Sequence, residues 1–139
     1  MKKLLIICTG NSCRSQIAHG FMKYFGKEKL EVYSAGIETH GVNPRAIKVM
    51  KNVGIDISKY TSNLIFEYEK IDFDYIITVC DNAAENCPIF SGSSLIKLHH
   101  NFKDPSKLKG TEKEIEAGFE ATRLEIKNYC EKFSQKYLN

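Results

Sequence analysis

The chain has 139 residues, of which 42% are hydrophobic and 27% charged, with a formal net charge of +3. That length and balance fit one globular domain whose own core is large enough for a monomer. The surplus charge comes from scattered lysines without a basic stripe or interleaved aromatics, which argues against a nucleic-acid partner.

In chain order, Lys2 and Lys3 precede the apolar run Leu4 to Ile7. The run stops at Cys8 without a small-residue cleavage site, so it reads as a buried strand and not as a signal peptide. No stretch is long enough to span a membrane, and a cytoplasmic protein is expected. A helix is predicted from about Cys13 to Phe25, with Ile17, Phe21, Met22 and Phe25 on one face. Val32 to Ser34 forms a short second strand, broken by Ala35-Gly36. Asn43-Pro44 opens a second helix, because proline suits a first helical position; Ala46, Ile47, Met50 and Val53 give its apolar face and Gly54 its end. A weaker helical stretch follows at Ser62 to Tyr68.

Tyr75 to Val79 is a β-branched and aromatic strand ending at Cys80. Asp81 to Asn86 reads as a short helix stopped by Pro88, and Leu95 to Leu98 as a fourth strand. Thr111 with Glu114 forms a capping box, followed by the stripe Ile115, Phe119, Thr122, Ile126, Tyr129 and Phe133 of a last helix. There is no internal repeat or linker. Alternating strands and helices define a single-domain α/β three-layer sandwich over 1–139, a four-stranded parallel sheet with helices on both faces. Cys8 and Cys80 then share the carboxyl edge of the sheet, where such folds place ligands.

Five cysteines in a cytoplasmic chain are not a disulfide framework. The spacings Cys8/Cys13 and Cys80/Cys87 are too wide for paired zinc ligands, and no metal is expected. Catalysis and redox exchange remain. The segment Cys8-Thr9-Gly10-Asn11-Ser12-Cys13-Arg14-Ser15 joins a strand end to a helix start, where unpaired N–H groups and the helix dipole attract anions. Its backbone can wrap an oxyanion while Arg14 makes bidentate bonds to it. Gly10 and Asn11 tolerate positive φ, and Ser15 can donate to the Cys8 sulfur. A thiol of pKa ~8.5 is ~3% ionised at pH 7, whereas a pKa near ~6 gives ~90% thiolate, so these groups are expected to lower the pKa of Cys8. Arg14, Arg45 and Arg123 are the only arginines, which makes an incidental Arg14 a poor reading. Cys13 and Cys130 read as packing residues.

If residues 81–86 are helical, the α-carbons of Cys80 and Cys87 lie roughly 10 Å apart, beyond the ~7 Å reach of a disulfide. The pair can bond only if that helix unwinds, and the bridge would then be strained and open to another thiol. Asp104-Pro105 follows the fourth strand, and a loop aspartate can protonate a leaving oxygen. His99 and His100 read as loop packing.

These residues make the chain similar to the thioredoxin-coupled arsenate reductases, which share the fold of low-molecular-weight protein tyrosine phosphatases. The resemblance rests on Cys8 to Ser15, Tyr33 to Pro44, Cys80 to Ile89 and Asp104-Pro105. It implies that arsenate docks in the loop Thr9, Gly10, Asn11, Ser12, Cys13, Arg14 and Ser15, that Cys8 attacks arsenic, and that Asp104 protonates the leaving hydroxide. Cys80 then attacks Cys8, giving a transient Cys8–Cys80 disulfide and releasing arsenite. Cys87 attacks Cys80, and thioredoxin reduces the Cys80–Cys87 disulfide; no cofactor is implied. Some members bind potassium through asparagine, glutamate, serine and aspartate. The matching positions here are Asn11, His19, Ser34 and Asn63, so both acidic ligands are absent and no potassium site is expected. A phosphatase of the same fold would use Cys8, Arg14 and Asp104 but neither Cys80 nor Cys87, and would carry aromatic residues where Ser106 and Lys107 stand. A thiol redox sensor would lack turnover.

Overall fold

The structure, a computed structural model, describes residues 1–86 and 95–139. Strand β1 spans Lys2–Cys8, helix α1 Arg14–Gly26, β2 Leu30–Gly36, α2 Pro44–Lys51, β3 Tyr75–Thr78, α3 Asp81–Asn86, β4 Ile96–His99 and α4 Glu112–Tyr137. The four strands form one parallel sheet in the order β2-β1-β3-β4. Leu4, Leu5, Ile6 and Ile7 are all fully buried, so both faces of β1 are covered, as the unbroken apolar run requires. On the helical side α4 packs along α1, and α2 packs against both. Phe119, Thr122, Ile126, Cys130 and Phe133 of α4 are buried, which makes Cys130 a core residue. Thr111 caps α4 through the reciprocal bonds with Glu114.

Several boundaries differ from the sequence reading. The second strand extends to Leu30–Gly36 because it follows β1 residue for residue, ending with Gly36 beside Cys8. Over Ser62 to Tyr68 only Ile65–Tyr68 turns, as a 3₁₀ segment, while Leu64 bridges to Gly36. Val53 lies beyond the end of α2 and is 45% exposed, so it is no part of that helix's apolar face. The predicted helix after Cys80 is present as α3, one residue short of Cys87. Cys87 and the Pro88 stop signal lie outside the described residues. Among the described residues no helix is long and apolar enough to cross a membrane.

The strand order turns this fold into a site. From β1 the chain moves to β2 on one side, then returns past β1 to β3 and β4 on the other. The crevice opens at the carboxyl ends of β1 and β3, where the direction reverses. Cys8 is the last residue of β1 and Cys80 follows β3 by two residues. Beyond β4, His100 N–H donates to the Thr78 carbonyl (3.0 Å) and Phe102 N–H to that of Val79 (3.1 Å). These bonds bring the Asp104 loop to the same edge.

Behind the catalytic edge, His19 of α1 packs on the Tyr60 ring (centroids 4.6 Å apart), and its Nδ1 bonds to Ser34 Oγ of β2 at 2.8 Å. Burial, aided by the charge of Lys23, pushes the pKa of His19 down to about 4. In the unfolded chain the imidazole takes its proton near 6.5, so below that pH the unfolded state binds one proton more than the folded one. Stability contributed by neutral His19 is therefore present above about pH 6.5 and is lost as pH falls toward 4, by up to about 3 kcal/mol. Urea unfolding at pH 7.5 and 4.5 tests this. His19→Gln is expected to lose less stability between the two values than the parent chain, and an equal loss would assign the acid sensitivity to other groups.

Candidate functional site

The segment after β1 is a closed half-ring of peptide groups whose carbonyls are all taken from outside. Ile37 N–H donates to Cys8 O (3.4 Å), Glu38 N–H to Thr9 O (2.9 Å), His40 N–H to Gly10 O (3.0 Å) and Asn43 N–H to Ser12 O (2.9 Å). Ser62 Oγ reaches Gly10 O at 3.1 Å, Gln16 Nε2 reaches Asn11 O at 2.9 Å, and Cys13 O accepts the N–H of Ile17. In a planar trans peptide the N–H points opposite the C=O. With the carbonyls from Cys8 to Cys13 drawn outward, the N–H groups from Thr9 to Arg14 turn inward, a nest for an oxyanion at the start of α1.

One glycine outside the loop permits this wrapping. A Cβ on Gly36 would meet Asn11 N and Thr9 O at 2.8 Å, besides Glu38 O. Gly10 does not take the positive φ expected of it. A Cβ there would lie 2.8 Å from His40 Nδ1, the ring of an exposed side chain that can swing aside. Asn11 alone in the loop takes positive φ, at +46°. Its fully buried side chain accepts Asn63 N–H (2.8 Å) and donates to Ser15 Oγ (2.8 Å), fastening the loop to the 61–63 segment. Ser15, placed by the sequence as a donor to Cys8, accepts the Asn11 amide on its Oγ, a bond that leaves its own proton unused.

Arg14, the first residue of α1, is held by Phe102 O on Nη1 (2.9 Å) and faces Asp104 Oδ2 with Nη2 (3.4 Å). Its Nε is buried and has no partner among the described residues, a donor left over for an oxyanion beside the loop N–H groups. Asp104 Oδ1 accepts from Ser106 N (3.0 Å) and Ser106 Oγ (2.6 Å), which leaves Oδ2 toward Arg14. Cys8, Cys13, Arg14, Cys80 and Asp104 line one cavity of about 460 Å³ with Thr9, Gly10 and Ser12. His40, Asp81, Asn82, Asn101, Ser106 and Lys107 also line its rim. The rim residues were not singled out by sequence reading, apart from Ser106 and Lys107 as the positions where aromatics are missing.

The electrostatics of the thiols overturn one expectation. Cys8 and Cys80 lie in the same cavity, and ionisation of either opposes ionisation of the other. The neighbouring Cys80 and burial hold the Cys8 thiol above the ordinary range, against the pull of Arg14 and the Thr9 N–H. Cys80, with Cys8, Thr9 Oγ1 and the Ala83 N–H beside it, is brought down. A second negative charge so close to the first is disfavoured, which works against the lowering that the loop and arginine suggest for Cys8. Burial, reinforced by Asp104, pushes Cys13 up to about 12, so it stays a neutral packing thiol.

The positions matching the potassium ligands of the resemblance are bonded to one another and to their neighbours. Asn11 and Asn63 are bonded to each other, His19 to Ser34, and Thr61 Oγ1 donates to Asn63 Oδ1 (2.8 Å). Neutral groups stand where carboxylates would be needed. His99 and His100 lie outside the cavity: His99 joins Thr78 Oγ1 (2.7 Å) to Asp81 Oδ1 (2.8 Å), and His100 stacks on Phe102 and Tyr129.

A nucleophilic thiol under an oxyanion nest, with an arginine and a loop aspartate opposite, defines a cysteine-dependent enzyme acting on tetrahedral oxyanions. The chain belongs to the low molecular weight phosphotyrosine protein phosphatase family, whose model matches residues 3–139. Within it, the chain is 48% identical over 135 residues to arsenate reductase 1 of Staphylococcus epidermidis strain ATCC 35984, covering 97% of either protein. It is 44% identical over 134 residues to an arsenate reductase of Bacillus subtilis strain 168, covering 96% of each. A solved arsenate reductase in the phosphate-binding state superposes with a TM-score of 0.76, at 35% identity over 98% of both chains.

Gly36→Ala tests the nest. Forcing a methyl group against the loop backbone is expected to cost about 1–3 kcal/mol in urea unfolding and to weaken phosphate binding by about tenfold or more, measured by calorimetry. Unchanged phosphate affinity would show that the loop does not depend on this close approach.

Proposed function

We propose that this protein is an arsenate reductase that moves two electrons to arsenic through Cys8, Cys80 and Cys87 in turn, and is returned to its dithiol state by thioredoxin. The observation that carries this reading is the Cys8–Cys80 pair: a second nucleophile already lies against the first, in the same cavity. A phosphatase, which hydrolyses its phosphocysteine with water, has no use for it.

Arsenate enters with its oxygens on the loop N–H groups and on Arg14 Nε and Nη2. The proton of Cys8 passes to Cys80 as the Cys8 sulfur closes on arsenic, and Asp104 Oδ2 delivers a proton to the departing hydroxide, which leaves as water. The product is a sulfur–arsenic(V) bond at Cys8. Cys80, returned to thiolate by loss of that proton through the cavity mouth, attacks Cys8. The sulfur–sulfur bond forms, the sulfur–arsenic bond breaks with its electron pair going to arsenic, and arsenite departs. Cys87 then attacks Cys80, Cys8 leaves as a thiolate, and the two electrons lost by the protein are stored as a Cys80–Cys87 disulfide. Residues 81–86 are helical in the reduced chain, so this last exchange requires α3 to open. The exposed disulfide is then open to attack by a small dithiol protein.

The geometry of Cys8, Arg14 and Asp104 also suits phosphoryl transfer, and a slow aryl phosphatase activity accompanies this reading. Ser106 and Lys107 on the rim provide no flat apolar wall for a tyrosine ring.

A coupled assay with arsenate, thioredoxin, thioredoxin reductase and NADPH tests the proposal. Cys8→Ser is expected to abolish arsenate-dependent NADPH consumption, and Cys80→Ser and Cys87→Ser to lower it by roughly a hundredfold or more. Cys87→Ser should accumulate the Cys8–Cys80 disulfide. Full turnover in both Cys80→Ser and Cys87→Ser would overturn the relay. Fast aryl phosphate hydrolysis with no arsenate-dependent consumption would replace it by the phosphatase.

A further inference from the structure

Helix α3 joins Cys80 to the catalytic loop through its own side chains. Thr9 Oγ1 lies 3.2 Å from Cys80 Sγ and receives Asn82 Nδ2 at 3.0 Å. The Asn82 side-chain oxygen in turn receives Asn86 Nδ2 at 3.0 Å, and the same nitrogen reaches the Asn82 main-chain oxygen at 2.8 Å. A carboxamide has one accepting end and one donating end. With Asn86 on its oxygen, Asn82 presents its NH₂ to Thr9. The threonine hydroxyl has a single proton, and with the amide on one of its lone pairs that proton is left for the Cys80 sulfur.

We propose that Asn82, held by Asn86, is a positioning residue that orients the Thr9 hydroxyl as a donor to the Cys80 sulfur. The inference rests on the relay reading above and adds the residues that position a donor for its second step. Asn82 and Asn86 are four apart and meet because one helical turn brings them together.

The test is a double-mutant cycle read on Cys80 itself, in the full chain, from the pH dependence of iodoacetamide alkylation with each cysteine followed by peptide mass mapping. Asn82→Ala is expected to raise the Cys80 midpoint by about one pH unit, a tenfold loss of thiolate below the midpoint. In a Thr9→Val background, Asn82→Ala should add no further shift, because the hydroxyl through which it acts is gone. Asn86→Ala, which leaves Asn82 in place, should move the midpoint in the same direction by a smaller amount. An unchanged midpoint in Asn82→Ala, or an equal shift with and without the Thr9 hydroxyl, would overturn the assignment. The cycle needs no turnover. If Cys87→Ser gives no Cys8–Cys80 disulfide with arsenate, the relay fails, while the alkylation cycle still reads the Asn82–Thr9–Cys80 chain.

Discussion

The site depends on which way six peptide groups face. Left to water, the loop from Cys8 to Cys13 would point its carbonyls wherever hydration is best, and an anion would meet as many oxygens as N–H groups. Here the carbonyls are drawn out by the backbone of Ile37, Glu38, His40 and Asn43 and by the side chains of Ser62 and Gln16. The inward N–H groups are thus set before any oxyanion arrives, and their orientation costs nothing when it binds. Gly36 is the place where a methyl group would break the arrangement. The 37–43 segment has no catalytic group of its own in this account, yet the chemistry at Cys8 rests on it.

On that frame the Cys8–Cys80 pair adds a property that neither thiol has alone. Each is near Arg14, and one charge is stabilised there while two are not. On the proposed relay, this coupling places a proton acceptor, Cys80, beside the thiol that attacks first. The position of the pair follows from topology, since β1 and β3 are neighbours and the crevice between their carboxyl ends is the switch point of the sheet.

Much of this was legible in the sequence because it lies in local pattern. The apolar run Leu4 to Ile7 of β1, the capping box at Thr111 and the cysteine-to-arginine loop each carry a short-range signature that tertiary context did not override. The strand edge shared by Cys8 and Cys80 followed from β–α alternation alone. What escaped was long-range. The Cys8 pKa is raised by a neighbour 72 positions away in the chain and by burial, neither of which the loop sequence shows, while Arg14 pulls the other way. The close approach of Gly36 to the loop backbone at Asn11 and Thr9 has no local trace either. Asn11 is tied to the 61–63 segment and to Ser15 by contacts that the loop sequence does not announce. Asn82 and Asn86 are ordinary helix-surface residues until Thr9 is placed opposite them.

The central claim is that the protein itself holds both electrons that arsenate needs. The most direct measurement is a single turnover without any reductant: fully reduced chain mixed with excess arsenate, quenched with an alkylating agent, arsenite quantified and disulfides mapped. The account requires one arsenite per chain, Cys8 alkylated as a free thiol, and Cys80 joined to Cys87. Arsenite that forms only after an external thiol is added, or a chain that retains all its free cysteines, would contradict it.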